Sequence, residues 1–320
     1  SPTSAAIVRL LVPPLVPSSY KGQAGKIGVV GGCAEYTGAP FYAALSALKV
    51  GADLSHVFCD EKAAIPIKGY SPELIVHGCL HEGVEDPQAL ARQVEDVTKW
   101  FPALTALVVG PGLGRDAALQ EVAAQVVACA VQSKLPCVID ADGLRLVLER
   151  PSLVAALQGN PWVVLTPNKP EYSRLLDHFG APPEDTDDGA ALLGLARVLK
   201  GPVVVRKGST DLITDGAMLL ENTEPGCIKR CGGQGDVLSG TIATFLSWAD
   251  KGGEARLHES DAQLSDGKLP AAPLLAAYAG CLLTRRFAKA AFARHRRSMT
   301  APDLIEAIGA EFDAFCPMVE

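Results

Sequence analysis

The stretch Ala106-Leu107-Val108-Val109-Gly110-Pro111-Gly112 is apolar at four successive positions and then breaks into glycine and proline. A strand with one wet face alternates apolar and polar residues, so an unbroken apolar run points to a strand covered on both faces, as in parallel sheets. Related runs, rich in β-branched residues and leading into glycine, aspartate or asparagine, recur at 26–32, 54–59, 136–142, 162–168 and 202–208. Between them, apolar residues three and four apart predict helices over 41–50, 88–100, 117–131, 171–176, 189–199, 237–248 and 274–293. This alternation predicts an α/β domain of three layers, α/β/α, with a mostly parallel sheet. Asp215-Gly216, flanked by 211–214 and 218–220, is a hairpin signal, so antiparallel edge strands are expected at one end.

At 320 residues the chain can bury a sizeable core, and no repeat, low-complexity tract or linker divides it, so one domain over 1–320 is expected. Segment 251–269, polar and without apolar periodicity, reads as a surface insertion with no part in chemistry. A hydrophobic content of 48% with 20% charged residues excludes disorder. The net charge of -7 gives no general attraction to polyphosphate or anionic lipid, so nucleic acid is not an expected partner. The longest apolar stretch, 271–283, is too short to cross a bilayer, and no membrane partner is expected. Nine cysteines, odd in number and without a CxxC pair, read as reduced thiols. The expected compartment is the cytoplasm, with organellar targeting left open by a chain that starts at Ser1 rather than Met.

Ligands of open α/β sheets bind beyond the carboxyl ends of the strands, which gives weight to the clusters there. In Cys231-Gly232-Gly233-Gln234-Gly235-Asp236, three glycines precede or open a helix, so backbone N–H groups can converge on one anion at a helix N-terminus. Asp236 in the first turn reads either as a base beside that anion hole or as an ordinary cap. Asn168 and Glu171, three apart at another helix entrance, read either as sparse ligands for Mg2+ held partly through water or as a capping box. No GxxxxGK[ST] and no GxGxxG is present, so a P-loop and a Rossmann cofactor site are demoted. Phosphoryl transfer without a P-loop still needs a base, donors for the transferred group and a metal, and these clusters can supply all three.

Together, Tyr36-Thr37-Gly38-Ala39-Pro40, Gly110-Pro111-Gly112-Leu113-Gly114, Asp140-Ala141-Asp142-Gly143-Leu144, Pro167-Asn168 with Glu171, Lys207-Gly208 and Arg230-Cys231-Gly232-Gly233-Gln234-Gly235-Asp236 resemble the ATP-dependent NAD(P)H-hydrate dehydratases of the ribokinase-like superfamily. The resemblance runs from the first strand to the last helix. It implies a ribokinase-like fold and an enzyme that repairs nicotinamide cofactor: ATP phosphorylates the ring hydroxyl of the (6S) hydrate of NADH or NADPH, and loss of phosphate restores the reduced cofactor.

It also implies roles by position. Asp236 would be the base, with the amides of Gly232, Gly233, Gln234 and Gly235 on the transferred group. Gly114, Asn168, Lys169, Pro170, Glu171, Tyr172, Ser173 and Arg174, with Asp236, would meet the hydrate. ATP would lie on Lys207, Gly208, Ser209, Thr210 and Asp211 and on Cys227, Ile228, Lys229, Arg230 and Cys231 through Gly235. The implied cofactor is Mg2+, with ATP as co-substrate, and the implied functional partner is a separate NAD(P)H-hydrate epimerase. Lys169-Pro170 fills the variable centre of Asn-x-x-Glu, and Gly226-Cys227-Ile228 before Lys229-Arg230 is not the commonest form of that approach loop, which bears on details of the ATP contact. The competing readings are a ribokinase-like kinase for a vitamin precursor or sugar, and a nucleotide-binding scaffold without turnover.

Cys227 and Cys231 read as packing residues, since no further metal-ligating side chain stands at the right spacing. Arg285-Arg286 and 294–297 read as solvated helix faces or the rim of a homo-oligomer.

Overall fold

The computed structural model describes residues 4–180, 188–260 and 267–317. Nine strands form one sheet: β1 (Lys26–Val30), β2 (Leu54–Asp60), β3 (Ile75–Leu80), β4 (Ala106–Val109), β5 (Cys137–Ile139), β6 (Val163–Leu165), β7 (Val203–Arg206), β8 (Asp211–Thr214) and β9 (Leu219–Asn222). Their order is β3-β2-β1-β4-β5-β6-β7-β8-β9. All pairs from β3 to β7 are parallel, while β7–β8 and β8–β9 are antiparallel, as the hairpin signal predicted. The order reverses between β1 and β4, which opens a crevice beyond their carboxyl ends.

The apolar runs divide between two cores. Ile27, Val29, Ala106, Val108, Val138, Val164, Val203 and Val205 face one, and Val30, Leu107, Val109, Cys137, Ile139, Val163, Leu165 and Val204 face the other. This period of two, with both faces dry, explains why the strands read as continuous hydrophobic stretches. The first core is covered by α1 (Ser4–Val8), α2 (Gly38–Val50), α3 (Glu61–Tyr70), α10 (Gln234–Trp248), α11 (Glu254–Glu259), α12 (Ala272–His295) and α13 (Ala301–Phe315). The second is covered by α4 (Pro87–Thr98), α5 (Ala117–Gln132), α6 (Asp142–Glu149), α7 (Pro151–Leu157), α8 (Lys169–Phe179) and α9 (Asp188–Leu199). Three layers result.

Helix α10 is buried along almost its whole length, and it carries the candidate site at its start. Its hydroxyls are spent inside: Thr241 Oγ1 donates to the Val237 carbonyl at 2.7 Å and Thr244 Oγ1 to the Gly240 carbonyl at 3.0 Å.

The surface-insertion reading of 251–269 is corrected where it can be compared. Residues 249–253 form a π-type turn and 254–259 are helical. Arg256 donates to the carbonyls of Leu10 and Leu11 at 2.9 and 2.8 Å, and Leu257 is buried, so this stretch fastens the N-terminal segment. Polar composition hid it because its anchoring is done by an arginine rather than by an apolar stripe. Residues 261–266 lie outside the described residues. No helix among the described residues is long and apolar enough to cross a membrane.

Candidate active site

An open cleft of about 940 Å³ lies beyond the carboxyl ends of β6 and β7, between the loop that leads into α10 and one side of α12. Lys207, Gly208, Ser209, Asp211, Cys227, Ile228, Arg230, Cys231, Gln234 and Gly235 all line it, as do Asn168 and Lys169. A volume of this size suits a nucleotide. Thr210, Lys229, Gly232 and Gly233 do not line it. The Thr210 carbonyl accepts from Arg206 at 3.3 Å, and the Lys229 carbonyl takes the Cys227 thiol at 3.0 Å.

The cleft wall is held by Arg285, which corrects its reading as a solvated face. Its guanidinium donates to Asp211 Oδ2 at 2.5 Å, to the Gly208 carbonyl at 2.8 Å and to the Glu224 carbonyl at 3.3 Å. Asp211 also accepts from the Gly208 amide at 3.1 Å and from Asn222 Nδ2 at 3.2 Å. The Asp211 carboxylate is thus committed to shaping the 208–211 turn. Arg286 pairs with Glu224 at 3.3 Å and lies over the Phe315 ring. Both arginines fold back onto the protein because α12 runs beside β8 and β9 rather than along an outer surface.

At the floor, Asp140 follows β5 directly and is 1% exposed. Its Oδ1 accepts from Thr166 Oγ1 at 2.7 Å and from Lys207 Nζ at 3.0 Å. Desolvation alone would lower the Lys207 pKa, but Asp140, Glu171 and Asp236 outweigh it and hold the ammonium above its ordinary range.

Gly233 is the N-cap of α10, at φ +91 and with no side-chain capping bond. A Cβ there would stand 2.6 Å from Ala301 Cβ and 2.8 Å from Tyr42 Cδ2, so only glycine lets the loop pass between α13 and α2. Asp236 is the third residue of the helix, in its first turn, while the N-cap position belongs to Gly233. Burial raises its carboxyl pKa to about 8, reinforced by Asp140 and Asp142 and opposed by Lys207. Burial and then Asp236 likewise raise the Tyr42 phenol. A half-buried acid thus stands beside an uncapped helix N-terminus, with a lysine on the other side of Gly235.

Asp142, one of the charges felt by Asp236, belongs to the crevice at the sheet's reversal. There the Gly32 amide donates to the Gly112 carbonyl at 3.1 Å, joining the loops after β1 and β4. Gly114 is held by Asp142 Oδ2 at 2.9 Å from its amide, and its carbonyl accepts from Gln120 at 2.6 Å. Ala141, between the two acids Asp140 and Asp142, adopts φ 49 and ψ -124, a conformation costly for a residue with a Cβ.

Asn168 and Glu171 form a capping box: Asn168 Oδ1 accepts from the Glu171 amide at 3.0 Å, and Glu171 Oε2 from the Asn168 amide at 2.8 Å. The rest of the stretch divides. Lys169 reaches the cleft, Pro170 and Arg174 are exposed, and the Ser173 hydroxyl turns back to the Lys169 carbonyl at 3.2 Å. Tyr172 is corrected as a ligand-contacting side chain: it is 0% exposed inside the second core. The helical period sends it inward, with Leu175 and Leu176, whenever Glu171 faces the site.

The profile of the NAD(P)H-hydrate dehydratase family matches residues 27–310. The chain belongs to this family. Among its relatives, the ATP-dependent (S)-NAD(P)H-hydrate dehydratase of Homo sapiens is 47% identical over 307 residues, covering 96% of this chain and 82% of that protein. The enzyme of the same name from Vitis vinifera is 46% identical, covering 97% and 87%. Among solved structures, a ribokinase-like superfamily protein from Enterococcus faecalis has a TM-score of 0.72 at 22% identity, covering 98% of this chain and 96% of that one. The ADP/ATP-dependent NAD(P)H-hydrate dehydratase from Bacillus subtilis, co-crystallized with ATP/Mg2+, has a TM-score of 0.67 at 20% identity, covering 98% and 97%. The fold is ribokinase-like, as these likenesses show.

Within this dehydratase family member, the sequence assigned no site role to Asp140, although it lies in a motif quoted above, nor to Thr166 or Arg285. Asp140 and Thr166 stand immediately after strands β5 and β6, which was the available signal.

Proposed function

We propose that this chain catalyses the ATP-dependent dehydration of the (6S) hydrate of NADH or NADPH, releasing ADP and phosphate. Membership of the dehydratase family supports the reaction class. The observation that carries the chemistry is Asp236, an acid with its pKa raised to about 8, set in the first turn of an uncapped glycine-rich helix N-terminus. A base is most effective when its pKa lies near the working pH.

Asp236 takes the proton of the ring hydroxyl as its oxygen attacks the γ-phosphorus of ATP, and the bond to the ADP oxygen breaks. The amides at the start of α10 and the Lys207 ammonium receive the charge of the phosphoryl group. Phosphate then leaves together with a proton from the adjacent ring carbon, and the ring double bond returns. Asn168 and Lys169, at the edge of the cleft, and the loop after β4 with Gly114 would flank the hydrate. The walls from Lys207 to Asp211 and from Cys227 to Gly235 would hold ATP.

Mg2+ fits the donors present. Among the described residues no three His, Cys, Asp or Glu side chains converge on one point, and Mg2+ does not require that, because phosphate oxygens and water complete its shell. The second carboxylate oxygen of Glu171 is left over by the capping box, and Asn168 is exposed at the cleft. When bound there, Mg2+ would offset the charge of the phosphates.

All nine strands among the described residues share one sheet, which supports reading 1–320 as one catalytic domain. The nine unpaired cysteines support a reducing compartment such as the cytoplasm. A separate epimerase would complement this activity, since only one epimer is consumed.

The test is incubation with hydrated NADH, ATP and Mg2+. The dehydratase restores the absorbance of reduced nicotinamide and releases free phosphate. A stable phosphoester in place of free phosphate would show a kinase instead.

A further inference from the structure

Thr166, Asp140 and Lys207 make a chain of contacts that ends at the glycine loop. A buried carboxylate persists only where partners compensate its lost hydration. Asp140 Oδ1 has two, the Thr166 hydroxyl at 2.7 Å and the Lys207 ammonium at 3.0 Å. The Thr166 hydroxyl also lies 3.4 Å from the Ile139 carbonyl, so the contact is tied to the end of β5.

Lys207 carries its charge on a flexible four-carbon stem. Its backbone is fixed by a bond from its amide to the Pro167 carbonyl at 3.0 Å, and its tip by Asp140. So pinned, Nζ lies 3.5 Å from where a Cβ on Gly235 would stand, and Asp140 Oδ2 lies 3.7 Å from the same point. The ammonium has three donors, and Asp140 uses one. The side chain is 21% exposed and lines the nucleotide cleft, which leaves the other donors for a ligand.

Resting on the ATP-dependent reading above, we infer that Asp140 is a positioning residue, which fixes the Lys207 ammonium beside Gly235 so that its remaining donors meet the phosphoryl group in transit. Asp140 acts through Lys207, and Thr166 holds Asp140 in the orientation required. The arrangement resembles a strut behind a hand: the charge that meets the reactant is one residue forward of the charge that aims it.

The experiment is a double-mutant cycle on the full chain with Asp140→Asn, Lys207→Met and the pair combined. It reads kcat and KM with hydrated NADH, and the affinities for ATP and ADP with Mg2+ by calorimetry. Lys207→Met is expected to lower kcat by about 10²-fold or more, as for removal of a charge-stabilising donor. Asp140→Asn should approach that loss, and the combined variant should be no worse than Lys207→Met alone. The preference for ATP over ADP should fall in the same non-additive way, while KM for the hydrate stays within about threefold. Because Asp140→Asn could also destabilise the fold, Thr166→Val and Thr166→Ser provide a second reading: Val lowers kcat and Ser restores it. Multiplying losses in both readouts, or wild-type kcat and nucleotide affinity in Asp140→Asn, would overturn the inference. A wild-type chain that binds ATP but restores no NADH would overturn the dehydratase reading alone, and the nucleotide cycle would still decide the role of Asp140.

Discussion

Gly110 and Asp140 touch backbone to backbone: a Cβ on Gly110 would lie 1.8 Å from the Asp140 carbonyl oxygen and 2.5 Å from the Gly143 amide nitrogen. Gly110 also holds φ +123, a conformation that residues with a Cβ rarely adopt. The loop after β4 and the turn after β5 are therefore seated against one another with no room for a methyl group. Gly110→Ala is expected to cost about 3 kcal/mol or more, the range of strain and overpacking combined. Thermal unfolding measures it, and a melting temperature equal to wild type would show that the turn shifts freely.

Asp236→Asn keeps the size of the side chain but removes its basicity. Turnover should fall by about 10²–10⁴-fold, while ATP affinity, which depends on backbone amides and the opposite wall, changes little. Calorimetric titration with ATP beside a turnover assay separates the two. Loss of folding together with ATP binding would return Asp236 to a structural role.

The same acid sets a pH dependence. Its folded pKa of about 8 lies above the ordinary 3.8, so the folded state holds the proton over that interval and the unfolded state does not. Its contribution to stability therefore declines as pH rises from about 4 to about 8. Asp236→Asn should flatten this decline, giving a variant that gains on wild type in relative stability as pH increases. Melting temperatures across the interval test it, and parallel curves for the two proteins would refute the shift. Turnover of wild type should move oppositely, rising as Asp236 loses its proton.

Glu171→Ala breaks one half of the capping box on α8 and should cost about 1 kcal/mol in stability. If Glu171 also meets Mg2+, turnover should suffer more than that and recover partly at raised Mg2+. A Mg2+ titration of the variant reads this directly. Equal losses of stability and turnover, unaffected by Mg2+, would leave the carboxylate as a cap alone, and full wild-type activity in excess chelator would remove the metal.

Arg285→Lys cannot reproduce three donations to Asp211, Gly208 and Glu224 from one planar group. It should raise KM for ATP by about tenfold, corresponding to ~1.4 kcal/mol, and leave KM for the hydrate nearly unchanged. Steady-state kinetics with each substrate varied in turn decides it.

The inner strands were legible because burial on both faces writes itself as consecutive β-branched residues. Edge strand β3 was not: of Ile75-Val76-His77-Gly78-Cys79-Leu80 only Val76 and Leu80 are buried, so neither a continuous apolar run nor an alternation marks it, and its Gly78 is needed where α3 presses against the sheet at Ala64. Helix α3 was hidden by Pro66 and Gly69 within ten residues. Helix α13 had a readable start, since Thr300 and Asp303 form a capping box, yet its apolar period went unread. The glycine loop and Asn168-Glu171 were legible as compact local patterns. Asp140 was not assigned a role because its partner Lys207 is 67 residues away, and only the adjacency of β5, β6 and β7 brings them together.

The backbone of Ala141 has a consequence for how this site can change. It joins Asp140, which grips Lys207, directly to Asp142, which grips the Gly114 amide. Its φ of 49 and ψ of -124 set the angle between the two acids. Asp140 is held from the β6–β7 side by Thr166 and Lys207, and Asp142 opens α6, so this one residue joins a strand end to a helix start. Mutations that relax this joint are therefore expected to be felt in two places together, at the cleft through Lys207 and at the loop after β4 through Gly114.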